Sequence, residues 1–192
     1  MKSISVFCGS STGLDEKFIS ETVKLGKYLA KNDILLVYGG SNVGLMSILA
    51  DSTLNEGGKV TGVIPSFLVS KEIAHKGLTD MLIVEDLQER KAKMDELSDG
   101  VIALPGGFGT LDELFEMLTW AQLGLHKKPV GILNINGYYD DLCNLLKKMT
   151  EKGLLKEVNR QMLLVADTVE ELIFKMENYV APNVDKWIHH HN

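Results

Sequence analysis

Val101-Ile102-Ala103-Leu104-Pro105-Gly106-Gly107-Phe108-Gly109-Thr110-Leu111-Asp112-Glu113 decides how this chain folds. Four apolar residues, Val101-Leu104, read as a buried strand, and Leu111-Leu123 continues with the period of a helix. Between them lies Pro105-Gly106-Gly107-Phe108-Gly109-Thr110, a loop whose glycines admit positive φ and a close approach to the backbone.

The same strand, turn and helix succession recurs on both sides of this stretch. Further strands are expected at Ile4-Cys8, Ile34-Tyr38, Val60-Ile64, Met81-Val84, Val130-Leu133 and Met162-Val165. Helical patterns lie at Glu16-Lys31, Leu45-Glu56, Leu87-Ser98, Tyr139-Lys152 and Val169-Tyr179. Such alternation requires crossover connections and predicts a doubly wound, mainly parallel sheet with helices on both faces, a Rossmann-like α/β fold. The strands are uninterrupted apolar runs, as a sheet covered on both faces demands. No linker or repeat divides the chain, so one domain is expected over residues 1–192.

Composition excludes several classes. Apolar residues make up 45% and charged residues 24% of 192, ordinary for a globular protein. No apolar run reaches the roughly 18 residues of a membrane span. The N-terminus Met1-Lys2-Ser3-Ile4 runs into a strand without the apolar region of a signal peptide, so a cytoplasmic location is expected. Cys8 and Cys143 form no CxxC pair, which points to reduced thiols and no metal site. The net charge of −6 comes without a basic block, so nucleic acid is not an expected partner. His189-His190-His191 reads as a tag remnant or frayed tail.

Sheets of this kind bind ligands at the carboxyl ends of their strands. Three glycine- or serine-rich loops fall there: Cys8-Gly9-Ser10-Ser11, Gly39-Gly40-Ser41-Asn42-Val43-Gly44, and Pro105 to Thr110. A helix N-terminus behind such a loop offers free N–H groups and partial positive charge to an anion. A tight turn with no ligand would use the same glycines. GxxxxGK[ST] is absent, and Asp112 stands where a dinucleotide fingerprint would need glycine. A mononucleotide or sugar phosphate fits the loops better.

Charged residues near the third loop carry two readings each. Thr110-Leu111-Asp112-Glu113 has capping-box spacing, as has Thr168-Val169-Glu170-Glu171, yet Glu113 could equally serve catalysis. Helix spacing sets Glu116 beside Asp112 and Glu113, and the helix dipole is expected to favour an ionised carboxylate there. Glu89-Arg90-Lys91 is either a solvated face or a cationic clamp on phosphate, with Arg90 able to bind bidentately. Glu72 falls in an irregular stretch after Pro65. His75 and His126 are isolated, and no nucleophilic triad is indicated. Leu114, Phe115, Met117, Leu118, Trp120, Ala121 and Leu123 leave their helix little polar face, so it is buried in the core or under a second subunit.

The run Pro105 to Glu113 matches a PGGxGTxxE pattern and resembles the Lonely Guy (LOG) family, whose members are often labelled lysine decarboxylases. The likeness extends to Val6-Phe7-Cys8-Gly9-Ser10-Ser11, Tyr38-Gly39-Gly40, Gly44-Leu45-Met46, Gly62-Val63-Ile64-Pro65, Glu89-Arg90-Lys91 and Thr119-Trp120-Ala121-Gln122-Leu123-Gly124. The resemblance implies a single nucleotide-binding catalytic domain. Its implied reaction is hydrolysis of a purine or cytokinin nucleoside 5′-monophosphate to free base and ribose 5-phosphate, without cofactor or metal. It implies Arg90 and Glu113 as the catalytic pair. Gly107, Phe108, Gly109 and Thr110 would bind phosphate, and Gly106, Leu111 and Asp112 would also be substrate-binding, with Ser10 and Gly40 from the other loops. Glu72, Lys91 and Thr119 would complete the substrate site, in a homodimer. Ser41 departs from the pattern, because many relatives carry a third glycine there. A carrier of molybdenum cofactor on the same fold is the non-enzymatic alternative; it would need the glycine cradle but no carboxylate at the sugar. Pyridoxal chemistry has no matching lysine setting.

Overall fold

A computed structural model of the chain describes residues 1–69, 71 and 73–183. Among the described residues, seven strands form one sheet: β1 (Ser3–Phe7), β2 (Leu35–Tyr38), β3 (Val60–Pro65), β4 (Asp80–Val84), β5 (Gly100–Ala103), β6 (Val130–Leu133) and β7 (Leu163–Ala166). Their order is β4-β3-β2-β1-β5-β6-β7, and every pairing is parallel. The expected doubly wound sheet is present. β1, β2, β3, β5 and β6 are buried along nearly their whole length, whereas the edge strands β4 and β7 are only partly covered. This is why their sequences read as unbroken apolar runs.

Side chains alternate between two cores. Ile4, Val6, Leu36, Tyr38, Ile102 and Leu104 pack under α1 (Glu16–Lys31), α2 (Gly44–Asn55) and, further along the chain, α8 (Val169–Glu177). Phe7, Val37, Val63, Val101, Ala103 and Ile132 face the other way, toward Met94 of α4 (Leu87–Glu96), Leu114 and Met117 of α5 (Phe108–Gln122) and Leu146 of α6 (Asp140–Glu151). Two short helices, α3 (Ser66–Val69) and α7 (Glu157–Arg160), escape a reading by periodicity because each is a single turn. Among the described residues, no helix is long and apolar enough to cross a membrane.

The strand order reverses between β1 and β5. A crevice must open there, because the connections leaving the two strands run to opposite sides of the sheet. The first and third glycine loops leave those two strands. Gly9 donates its N–H to the Pro105 carbonyl at 3.0 Å, which ties the loops together. Leu45, at the start of α2, donates to the Gly9 carbonyl at 3.1 Å and brings in the second loop.

Candidate active site

The third loop differs from the expected form in one respect that matters. α5 begins at Phe108, with Gly107 as its N-cap in an extended conformation. Thr110 therefore lies inside the first turn and is not a cap, and Glu113 cannot close a capping box. The glycines let the chain enter the helix three residues early. At Thr168 the capping expectation holds, with its side chain accepting from the Glu171 amide at 3.3 Å.

The consequence is a helix with open amides. α1 and α4 cover theirs with Asp15, which accepts from Lys17 N at 2.9 Å, and Asp86, which accepts from Gln88 N and Glu89 N at 2.8 Å. Gly107 has no side chain to do this. Among the described residues, no acceptor takes the amides of Gly107, Phe108 or Gly109. A Cβ built at Gly107 or Gly109 meets nothing within 4 Å. Unpaired N–H groups, a helix dipole and room beside them make a cradle for an anion. Ser10 is exposed on the neighbouring loop, and Phe108 is almost fully exposed.

One turn further along α5, Glu113 is buried at 8% exposure. The Arg90 guanidinium, brought across by α4, lies 3.3 Å from its carboxylate. Arg90 is not on a solvated face; its side chain is only 13% exposed. Its Nε–H is buried without a partner among the described residues. An ion pair held by one guanidinium nitrogen, with a second N–H unused, leaves capacity for a ligand.

Burial raises the Glu113 pKa to about 7; Arg90 opposes this, and Asp112 adds to it. The sequence expectation that the helix dipole favours an ionised carboxylate is thus corrected. Glu113 sits beyond the first turn, where the dipole fades, and loss of water dominates. Cys8 lies close enough to feel both charges, but burial pushes its thiol far up, so it stays neutral and a poor nucleophile.

Lys91 points along the adjacent stripe of α5. Its ammonium meets Asp112 at 3.0 Å and Glu116 at 2.6 Å. Burial pulls its pKa down, but the two carboxylates outweigh that and the net shift is upward. Lys91 is therefore a firmly charged brace between α4 and α5. The Glu116 stripe predicted from helix spacing is real, and its partner is this lysine.

The remaining predicted residues lie at varying removes. Gly40 adopts φ 71°, gives its carbonyl to the His75 amide at 2.9 Å, and has Ile64 and Met81 where a side chain would go. Its neighbour Gly39 faces the Arg90 guanidinium. Ser41 donates to the Ile73 carbonyl at 3.1 Å, so this departure from the family pattern fastens the loop to the segment after it. Leu111 is half-buried and Asp112 exposed. Thr119 is six residues, about 9 Å, beyond Glu113 along α5; its hydroxyl donates to the Phe115 carbonyl at 2.7 Å. Glu72 and His189-His190-His191 lie outside the described residues. His75 pairs with Asp51 at 3.0 Å, and His126 bonds the Met117 carbonyl at 3.0 Å, so both have structural partners.

Two residues went unnoticed in the sequence. Tyr138 donates to the Gly106 carbonyl at 2.6 Å, and Tyr139 donates to the Leu104 carbonyl at 2.6 Å. They follow β6, which lies next to β5, and only the strand order makes that adjacency visible.

Comparison with known proteins follows the same line. The family model described as "Possible lysine decarboxylase" matches residues 46–176. A probable cytokinin riboside 5′-monophosphate phosphoribohydrolase of Oryza sativa subsp. japonica is 48% identical over 176 residues, covering 92% of this chain and 79% of that protein. A cytokinin riboside 5′-monophosphate phosphoribohydrolase of Arabidopsis thaliana is 44% identical over 179 residues, 93% of this chain and 84% of its own length. Among solved structures, the molybdenum cofactor binding protein from Rippkaea orientalis superposes with a TM-score of 0.69 at 22% identity, covering 91% of this chain and 94% of that one. That likeness establishes the shared fold alone. By sequence, this chain belongs to the LOG family of cytokinin riboside 5′-monophosphate phosphoribohydrolases, the family whose model carries the lysine decarboxylase description.

Proposed function

We propose that this chain hydrolyses the N-glycosidic bond of purine or cytokinin nucleoside 5′-monophosphates, releasing free base and ribose 5-phosphate. The observation that carries the reading is the open N-terminus of α5 one turn from the buried Arg90–Glu113 pair. Phosphate held by the Gly107 to Thr110 segment would bring the ribose toward Glu113. Phosphate binding energy could then orient the sugar for reaction. As the C1′–N bond breaks, its electron pair leaves with the base and positive charge gathers on the ribose. The Glu113 carboxylate stabilises that charge and takes a proton from the attacking water as the C1′–O bond forms. A carboxyl titrating near neutrality can pass that proton on to the departing base. Arg90 orients the substrate and balances charge, with its spare N–H groups available to the ligand.

Decarboxylation of lysine fits these residues poorly. A Schiff-base lysine needs a neutral amine, which desolvation or neighbouring cations supply. Lys91 has two carboxylates on it and an upward shift. The fold shared with the molybdenum cofactor binding protein does not choose a function; the buried carboxylate beside the cradle favours hydrolysis over carriage.

The homodimer, the single nucleotide-binding domain over residues 1–192 and the cytoplasmic location belong to the same reading. Phe115, Leu123 and Leu125 on and after α5 are exposed, as are Leu145 and Leu154 nearby in the chain, an apolar surface suited to a second copy. Light scattering showing only monomer would remove that part. Free thiols at Cys8 and Cys143 suit a reducing compartment. The deciding assay incubates the chain with AMP and with an isopentenyl-adenine nucleotide. Release of free base and ribose 5-phosphate is expected; no release from either substrate overturns the proposal.

A further inference from the structure

We propose that Tyr138 is a positioning residue for phosphate binding: its hydroxyl fixes the Gly106–Gly107 peptide so that the Gly107 amide faces the ligand. The inference rests on the reading of the α5 N-terminus as the phosphate cradle. In a trans peptide, the carbonyl of one residue and the N–H of the next point in opposite directions, and no peptide in the described chain is cis. Whatever holds the Gly106 oxygen therefore also aims the Gly107 N–H.

Glycine's own sterics do not settle that orientation. Between Gly106 and Gly107, no Cβ opposes rotation of the peptide, and both orientations lie in permitted backbone regions. An external hold is needed. The turn has three consecutive carbonyls, and each has a separate donor. Leu104 O accepts from Tyr139 Oη at 2.6 Å, Pro105 O from Gly9 N at 3.0 Å, and Gly106 O from Tyr138 Oη at 2.6 Å. All three oxygens are held, Pro105 O from the β1 side and Leu104 O and Gly106 O by residues that follow β6, while the amides of Gly107, Phe108 and Gly109 are left unpaired among the described residues.

Tyr138 is built to supply this bond. Its ring stands edge-on to Phe18 of α1 at 5.5 Å and to Tyr139 at 4.9 Å, both at 82°. The chain reaches it through a turn with positive φ at Asn136 and Gly137. That turn is tethered by Asn136 Nδ2 to Asp15 at 2.8 Å and by Lys17 Nζ to Asn136 at 3.2 Å. The residue is nevertheless 45% exposed. Burial does not force its hydroxyl to find a partner in the protein, so the short bond to Gly106 reflects where the tethered ring stands.

The test is Tyr138→Phe in the full chain, which keeps both ring contacts and removes the hydroxyl. The KM for the nucleoside 5′-monophosphate should rise about three- to tenfold, the effect of one lost hydrogen bond. The inhibition constant of ribose 5-phosphate should rise by the same factor. Affinity for the unphosphorylated nucleoside, kcat and thermal midpoint should stay close to wild type. Unchanged KM and inhibition constant overturn the proposal. So does equal weakening of nucleoside and nucleotide, or a fall in kcat together with the melting temperature, since either marks a general structural role. A wild-type chain that releases no base and binds no ribose 5-phosphate overturns both this inference and the proposed function. A normal wild type with an indifferent variant overturns this inference alone.

Discussion

Gly39 vacates the space that the Arg90 guanidinium occupies. A Cβ built at Gly39 would overlap Arg90 Nη2 and press on Met46. The nitrogen that meets Glu113 at 3.3 Å thus stands where only glycine permits it. The second glycine loop contributes to the site through an omission, leaving room for a cation that comes from a different part of the chain.

Gly39→Ala should therefore displace Arg90 and lower kcat/KM on the order of tenfold or more, since a misplaced charge near the reacting bond costs heavily. Gly107→Ala probes the opposite case. Its backbone is in an ordinary region and nothing lies within 4 Å, so the melting temperature should hold. The methyl group would instead stand at the mouth of the cradle and raise KM. Thermal melts and steady-state kinetics on the two variants check this. Equal KM in Gly107→Ala and wild type counts against phosphate at that position.

Glu113→Gln should keep nucleotide binding within a few-fold and reduce base release by a factor on the order of 10²–10⁴, the usual worth of a positioned acid–base group. Calorimetric titration with AMP separates binding from turnover. Unaltered turnover would refute the assigned role.

The pH dependence follows from the raised Glu113 pKa of about 7. If the carboxylate is the working form, kcat/KM climbs as pH rises through about 7, and that limb is missing in Glu113→Gln. Stability moves the other way. An unfolded Glu113 loses its proton near the ordinary glutamate value of 4.5, whereas the folded one holds it to about 7. Between those values the native state binds more protons, so Glu113 makes stability decline as pH increases. Denaturant melts from pH 4.5 to 7.5 should show a steeper decline for wild type than for Glu113→Gln. Parallel curves contradict the shift.

Lys91→Met should uncouple α4 from α5. The side chain is 11% exposed, and its loss leaves Glu116 without the charge 2.6 Å away. A stability loss of about 1–3 kcal/mol is expected, with reduced activity through a displaced Arg90. Chemical denaturation and kinetics read both effects. A fully stable, fully active variant would show that the brace is dispensable.

All seven strands and the six long helices were legible in the sequence, because burial on both faces writes apolar runs and an amphipathic or buried helix writes its own period. The glycine loop was legible too, since Pro105-Gly106-Gly107-Phe108-Gly109 leaves few alternatives to a loop entering a helix. Where that helix began was not: Thr110 carried a cap's spacing, yet backbone freedom at Gly107 let the helix start at Phe108. The state of Glu113 depended on tertiary structure, because burial in the folded core raises its pKa against the opposing charge of Arg90, and neither can be read from neighbours in the chain. The same holds for Gly39 beneath Arg90 and for Tyr138 on Gly106. Sequence alone determined the elements and the glycine loop before α5, since these follow from local periodicity and backbone sterics. Which side chains converge on the cradle, and with what charge, was decided by strand order and burial, which bring together residues far apart in the chain.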